Sequence, residues 1–204
     1  MKDSGRSSGQ IRGGSLYCGS PQRRSPLAWS MGLALLLSWM TGCATTAPAL
    51  TPAQAQAQAS IREGLTAYSN DDPITAIAAF EEAVGLDPKA VEGWIGLGAA
   101  RASAGKDRLS LEAFQEATRL APTNARAWLG LGAAHSGLGE KELAITAFER
   151  AVKLDSKNTH AQLGLGIAYL ESGQKDKALA QVAILEGLDA GELASELRSL
   201  VTAP

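Results

Sequence analysis

Trp94-Ile95-Gly96-Leu97-Gly98-Ala99-Ala100 returns 34 residues later as Trp128-Leu129-Gly130-Leu131-Gly132-Ala133-Ala134. A weaker copy stands at Gln162-Leu163-Gly164-Leu165-Gly166-Ile167-Ala168. Phe80, Phe114 and Phe148 keep the same interval, and so do Ala83, Ala117 and Ala151. A fixed period of this size is the mark of a solenoid, in which each unit buries its apolar face only by stacking on its neighbours. Solenoids mostly bind other macromolecules, so the period weighs against catalysis before any site is examined.

Charge divides the chain. Residues 1–42 carry Lys2, Arg6, Arg12, Arg23 and Arg24 against Asp3 alone, whereas residues 43–204 carry 14 basic and 20 acidic groups. A mildly acidic body excludes nucleic acid as the expected partner, because phosphate contacts need a basic face. Few aromatics and abundant Ala, Leu and Glu favour helix. Roughly 160 residues after the leader suit one domain.

Arg23-Arg24 precede an apolar run from Leu27 to Met40. It is shorter than the about 20 residues a membrane-spanning helix needs but fits the core of a signal peptide. Met40-Thr41-Gly42-Cys43 follows at once. This resembles the bacterial lipoprotein signal, in which small residues precede an obligatory cysteine. The resemblance implies a diacylglyceryl group on the Cys43 thiol and cleavage after Gly42, which makes residues 1–42 a signal peptide and Cys43 an acylated N-terminus. Several acyl chains hold a protein on a membrane where one holds it only marginally. An ordinary secretory leader and, because of the arginine pair, a twin-arginine export signal are the alternatives. Residues 1–22 are polar and superfluous to any of these, which suits a true start further downstream. A processed chain keeps Cys43 as its only cysteine, so no internal disulfide is expected. Ala44, where an aspartate would favour the inner membrane, implies by the same resemblance an outer-membrane location facing the periplasm. Residues 43–56 read as the lipidated terminus and a disordered, Pro-containing tether.

With Trp94 as position 4, repeats begin at Ala57, Val91, Ala125 and Thr159 without insertions. The second supplies Trp94, Leu97, Gly98, Phe114, Ala117 and Pro122; the third supplies Trp128, Leu131, Gly132, Ala144, Phe148 and Ala151. The first gives Gly64, Ala76, Phe80, Ala83 and Pro88, and the fourth Leu165, Gly166, Tyr169 and Ala178. This pattern resembles the tetratricopeptide repeat over residues 57–192. The resemblance implies an all-α, right-handed solenoid of four helix-turn-helix repeats (57–90, 91–124, 125–158, 159–192). Departures fall at position 11 (Ala67, Arg101, His135) and toward the ends, where Ser60 replaces the aromatic of position 4 and Val182 the phenylalanine of position 24. Gly105, Gly139 and Gly173 are expected to close first helices, and Asp72-Pro73 to open a second one. Leu193, Leu197, Leu200 and Val201 recur at helical spacing, so residues 193–204 are expected to be a capping helix.

In this family the first helices line a concave groove, chiefly through positions 2, 5, 9 and 12. The resemblance therefore implies a binding surface made by Gln58, Ile61, Leu65 and Tyr68; Glu92, Ile95, Ala99 and Ala102; Arg126, Leu129, Ala133 and Ser136; and His160, Leu163, Ile167 and Leu170. The middle is small and apolar, with Glu92, Arg126 and His160 along one edge. None of these positions holds the Lys and Asn with which some relatives clamp a peptide carboxylate. The surface suits an apolar or amphipathic segment of a protein partner. The competing reading is that these residues only pack the first helices together.

No cofactor, metal or catalytic set is expected. His135 and His160 share no helix face, and the Gly-x-Gly pairs sit inside helices rather than after strands. Glu81, Glu82, Glu140 and Glu142 are expected on solvated helix faces. The reading is a non-enzymatic, membrane-anchored adaptor or assembly factor, for instance of a pilus or secretion system. A regulator docking peptidoglycan enzymes and a carrier of a small apolar ligand are the alternatives.

Overall fold

The computed structural model describes residues 50–202, which form helices and connecting turns without a strand. They are α1 (Pro52–Ser69), α2 (Pro73–Leu86), α3 (Val91–Ser103), α4 (Asp107–Leu120), α5 (Ala125–Gly137), α6 (Lys141–Leu154), α7 (Thr159–Glu171), α8 (Lys175–Gly187) and α9 (Gly191–Thr202). Cys43 and the leader lie outside the described residues. So does the tether up to residue 49.

Helix α1 starts five residues before the repeat boundary, so residues 52–56, expected in the tether, are helical. The cause is a capping box. The Gln54 N–H donates to Thr51 Oγ1 at 3.2 Å, and the Thr51 N–H donates to Gln54 Oε1 at 3.0 Å. Pro52 occupies the first turn, where its missing N–H costs nothing, and the Ala/Gln run that follows has high helix propensity. The other starts follow the same chemistry. Asp72 Oδ1 accepts from the Thr75 N–H, Asn124 Oδ1 from Arg126 and Ala127, and Asn158 Oδ1 from Ala161. First helices end, as expected, at Gly105, Gly139 and Gly173, whose φ angles are 69°, 74° and 80°; Asp71 takes this conformation at φ 57° in the first repeat.

Successive helices pack as antiparallel neighbours. Beyond that, α1, α3, α5, α7 and α9 touch in sequence, whereas no two of the second helices α2, α4, α6 and α8 do. The first helices therefore form the tight inner side of the superhelix and the second helices the splayed outer side.

Each phenylalanine of position 24 is seated between two glycines. A Cβ added to Gly64 would come within 2.9 Å of the Phe80 ring, and one added to Gly96 would overlap the same ring from the next repeat. Phe114 lies likewise between Gly98 and Gly130, and Phe148 between Gly132 and Gly164. One apolar cluster forms at each junction around these rings. At the last junction Gly166 faces Leu197 of α9 instead. The Leu197 side chain supplies the volume that Val182 lacks relative to phenylalanine. The cap is seated by Ala194, Leu197 and Val201, all about 1% exposed or less, while Leu200 is 45% exposed and not part of the core as its spacing suggested.

Gly130→Ala is expected to destabilise the protein by about 1–3 kcal/mol, because the Phe114 ring is pinned by Gly98 and cannot retreat. Gly85→Ala, where a Cβ meets nothing within 4 Å, is expected to be neutral or to stabilise by about 0.5–1 kcal/mol. Urea denaturation of the two variants beside the parent checks both signs.

Candidate functional site

The groove residues fall into rows on the first-helix face. Gln58, Glu92, Arg126 and His160 form an exposed polar row. In the next row Ile61, Leu129 and Leu163 are half-buried, but Ile95 is only 8% exposed and belongs to the cluster around Phe114 and Leu131. Ile95 is a core residue, not one that faces a ligand. Leu65, Ala99, Ala133 and Ile167 follow, with Leu65 and Ala133 exposed and the other two half-buried. In the last row Tyr68 and Ala102 are exposed and Ser136 and Leu170 half-buried. Leu129, Leu163, Ile167 and Leu170 rest against the Phe148 cluster, so these side chains both pack the stack and present one edge to solvent. Tyr68 is held by its hydroxyl, which accepts from Ser103 Oγ at 3.3 Å.

Position 4 does a second job that the sequence pattern did not announce. Trp94 Nε1 donates to the Pro88 carbonyl at 3.0 Å and Trp128 Nε1 to the Pro122 carbonyl at 2.9 Å. Gln162 makes the same bond, its Nε2 donating to the Ser156 carbonyl at 3.0 Å. What looked like decay of the motif keeps the N–H donor while losing the indole. Gln162 Oε1 is buried without a partner.

In the second and fourth repeats position 11 ties the repeat to the one before it. Arg101 Nη2 donates to Glu81 Oε1 at 2.9 Å and Nη1 to the Leu109 carbonyl at 3.0 Å. The Tyr169 hydroxyl donates to Glu149 Oε1 at 2.7 Å. Both glutamates stand 20 residues upstream of their partners. His135 has Gln115 at that spacing, and its Nδ1 instead lies 2.6 Å from Glu140 Oε2. His135 is thus a buried, paired side chain. Glu81 and Glu140, expected only to be solvated, are partners of position-11 residues. The 20-residue interval between unlike polar residues was the available signal.

Burial first, and then the bond to the Glu149 carboxylate, push the Tyr169 phenol up to about 12. Among the described residues no group of three His, Cys, Asp or Glu side chains is placed to hold a metal, and no helix is long and apolar enough to cross a membrane.

Three family models, each described as tetratricopeptide repeat, match residues 61–125, 125–158 and 142–201. The chain is a tetratricopeptide-repeat protein. Among solved structures it is similar to a thermophilic TPR protein of Thermus thermophilus, with TM-score 0.62 and 22% identity over 71% of this chain and 79% of that one. It is also similar to the MamA protein, with TM-score 0.57 and 24% identity over 72% and 90% of the two chains. The first TPR of Spaghetti (RPAP3), bound to an HSP90 peptide, gives TM-score 0.57 and 19% identity over 59% and 95%. At these identities the likeness is one of fold. No curated protein matches the sequence.

Because the folded phenol ionises near 12 rather than the ordinary 10, its neutral form favours the fold. That contribution is complete below pH 10 and is lost as pH rises toward 12. The melting temperature of the parent is expected to fall more between pH 10 and 12 than that of Tyr169→Phe. An ultraviolet-monitored titration of the parent is expected to show a late tyrosinate step that the variant lacks.

Proposed function

We propose that this chain is a membrane-tethered adaptor of a bacterial envelope. Acyl chains on Cys43 fix it to the outer membrane, residues 44–51 give reach, and the first-helix groove captures an apolar or amphipathic segment of a protein that belongs to an envelope assembly such as a pilus or secretion apparatus. The observation that carries the groove is the continuous first-helix stack. Half-buried Ile61, Leu129, Leu163 and Ile167 and exposed Leu65 run along it beside the polar row of Glu92, Arg126 and His160. An amphipathic helix fits such a surface, its apolar stripe on the Leu/Ile rows and its polar flank toward the charged row. The Spaghetti domain, captured with a peptide, supports peptide recognition as a use of this fold. The motif Met40-Thr41-Gly42-Cys43 supports the anchor.

Two experiments test the two halves. Cys43→Ser is expected to lose incorporation of a palmitate probe and to leave the membrane fraction; continued labelling and pelleting would refute the anchor. A pull-down from detergent-solubilised membranes compares the parent with Leu129→Glu/Leu163→Glu, after circular dichroism shows that the variant is folded. Charges in the apolar row are expected to lower recovery of the partner at least about tenfold. Equal recovery by both proteins would remove the groove from the mechanism. A secretin or pilin component among the partners selects the assembly version, and a peptidoglycan hydrolase or synthase selects a regulator of wall enzymes.

A further inference from the structure

Two corners of the solenoid, two repeats apart, are built alike and filled differently. Each lies where the ends of two successive first helices meet the start of the second helix between them. In the later corner Ser136 Oγ donates to Glu171 Oε2 at 3.4 Å. Lys141, the first residue of α6, turns its Nζ onto the Glu171 carbonyl at 2.6 Å. Glu171 is the last residue of α7, so this carbonyl is one that a helix end leaves without an internal partner. The chain thus fills the later corner with an ammonium of its own.

In the earlier corner the matching residues are Tyr68, Ser103 and Pro73. The first two make the matching bond, Ser103 Oγ donating to the Tyr68 hydroxyl at 3.3 Å. Pro73 begins α2 as Lys141 begins α6, but it has no cation to offer. A cavity of about 270 Å³ lies there, lined by Tyr68, Ser69, Asp71, Pro73 and Ser103. The Ser103 carbonyl, counterpart of the Glu171 carbonyl, accepts no hydrogen bond among the described residues. Helices α1 and α3 end at the cavity, at Ser69 and Ser103, and each brings the negative end of its dipole. The start of α2 opposes them, but the start of α6 does not keep Lys141 from its corner. Asp71 adds a full negative charge. It stands where the later repeats have Gly105, Gly139 and Gly173, in the same left-handed conformation at φ 57°. Glycine meets that backbone demand at lower cost, so the turn alone does not ask for a carboxylate. No basic side chain lines the cavity.

We propose that this cavity takes a primary ammonium, the side chain of a lysine on the segment that the first-helix groove captures. The ammonium donates to the Ser103 carbonyl as Lys141 does to that of Glu171, and its other protons go to Asp71 and the Ser69 hydroxyl. Tyr68 belongs both to the cavity and to the last row of the groove, so a segment in the groove reaches the cavity at its first-repeat end. The partner's lysine rests on the groove reading; the cavity's preference for an ammonium does not.

The probe is Nα-acetyl-lysine methylamide, titrated into the isotope-labelled full chain with Cys43→Ser and followed by amide resonances. Saturable shifts are expected at Ser69, Asp71 and Ser103, with a dissociation constant on the order of 10 mM, as one charge-assisted group allows. Asp71→Gly, which installs the residue of the other repeats, is expected to keep the fold and weaken binding at least about threefold. Pro73→Lys supplies the ammonium from within, as Lys141 does, and is expected to abolish the shifts. The ε-acetylated probe is expected to leave them unmoved. No saturable shift, equal shifts with the acetylated probe, or indifference to both variants overturns the proposal. Leu129→Glu/Leu163→Glu is expected to bind the probe like the parent, which separates the cavity from the groove. In the membrane pull-down Asp71→Gly is expected to recover less partner. Full recovery by Asp71→Gly, where Leu129→Glu/Leu163→Glu loses the partner, overturns the lysine assignment and leaves the groove standing.

Discussion

The contact on which the rest of the solenoid depends is an aromatic ring held between two backbones that have no side chains to offer. Phe80, Phe114 and Phe148 each project from a second helix into a slot walled by a glycine of their own repeat and a glycine of the next. The glycines cost helix stability, about 1 kcal/mol each relative to alanine. What they permit is the approach of consecutive first helices, and that approach sets everything downstream. First helices touch, second helices do not, and the stack curves with the first helices inside. The groove is therefore a by-product of how the core is filled. Its leucines and isoleucines are the rims of the same clusters that hold the repeats together.

This explains why the fold was legible in the sequence and the surface less so. The 34-residue interval follows from one ring and two glycines recurring per repeat, and each has a single steric reason to be there. The turns were legible for a similar reason, since Asp72-Pro73 and the glycines that follow the first helices answer local backbone demands. Groove residues answer two demands at once. Ile95 and Leu129 occupy the same position in successive repeats, yet Ile95 is buried and Leu129 is half-open. Which of them faces solvent depends on packing across the junction, and that is not written at any one position.

Ends behave differently from middles. The extension of α1 back to Pro52 is decided by a capping box that lies outside the repeat register, where the 34-residue period carries no signal. At the other end, Val182 looked like drift, but Leu197 from α9 fills the same slot from a different helix. Gln162 likewise looked like a lost tryptophan and proved to be the retained donor of an inter-repeat bond. Substitutions that break a motif in sequence can conserve its function in space, provided that a neighbour supplies the missing volume or that the one essential polar atom survives.

The asymmetry between inner and outer helices has a mechanical side. Contacts that join one repeat to the next along the first helices lie close to the inner surface, whereas the second helices reach the following repeat only through its first helix. A pull on the two ends therefore acts about the line where the first helices touch, while the second helices are joined to the following repeat only through its first helix. The repeat stack is thus built like a leaf spring, with one unbroken line of touching helices on its inner side and separated leaves on its outer side.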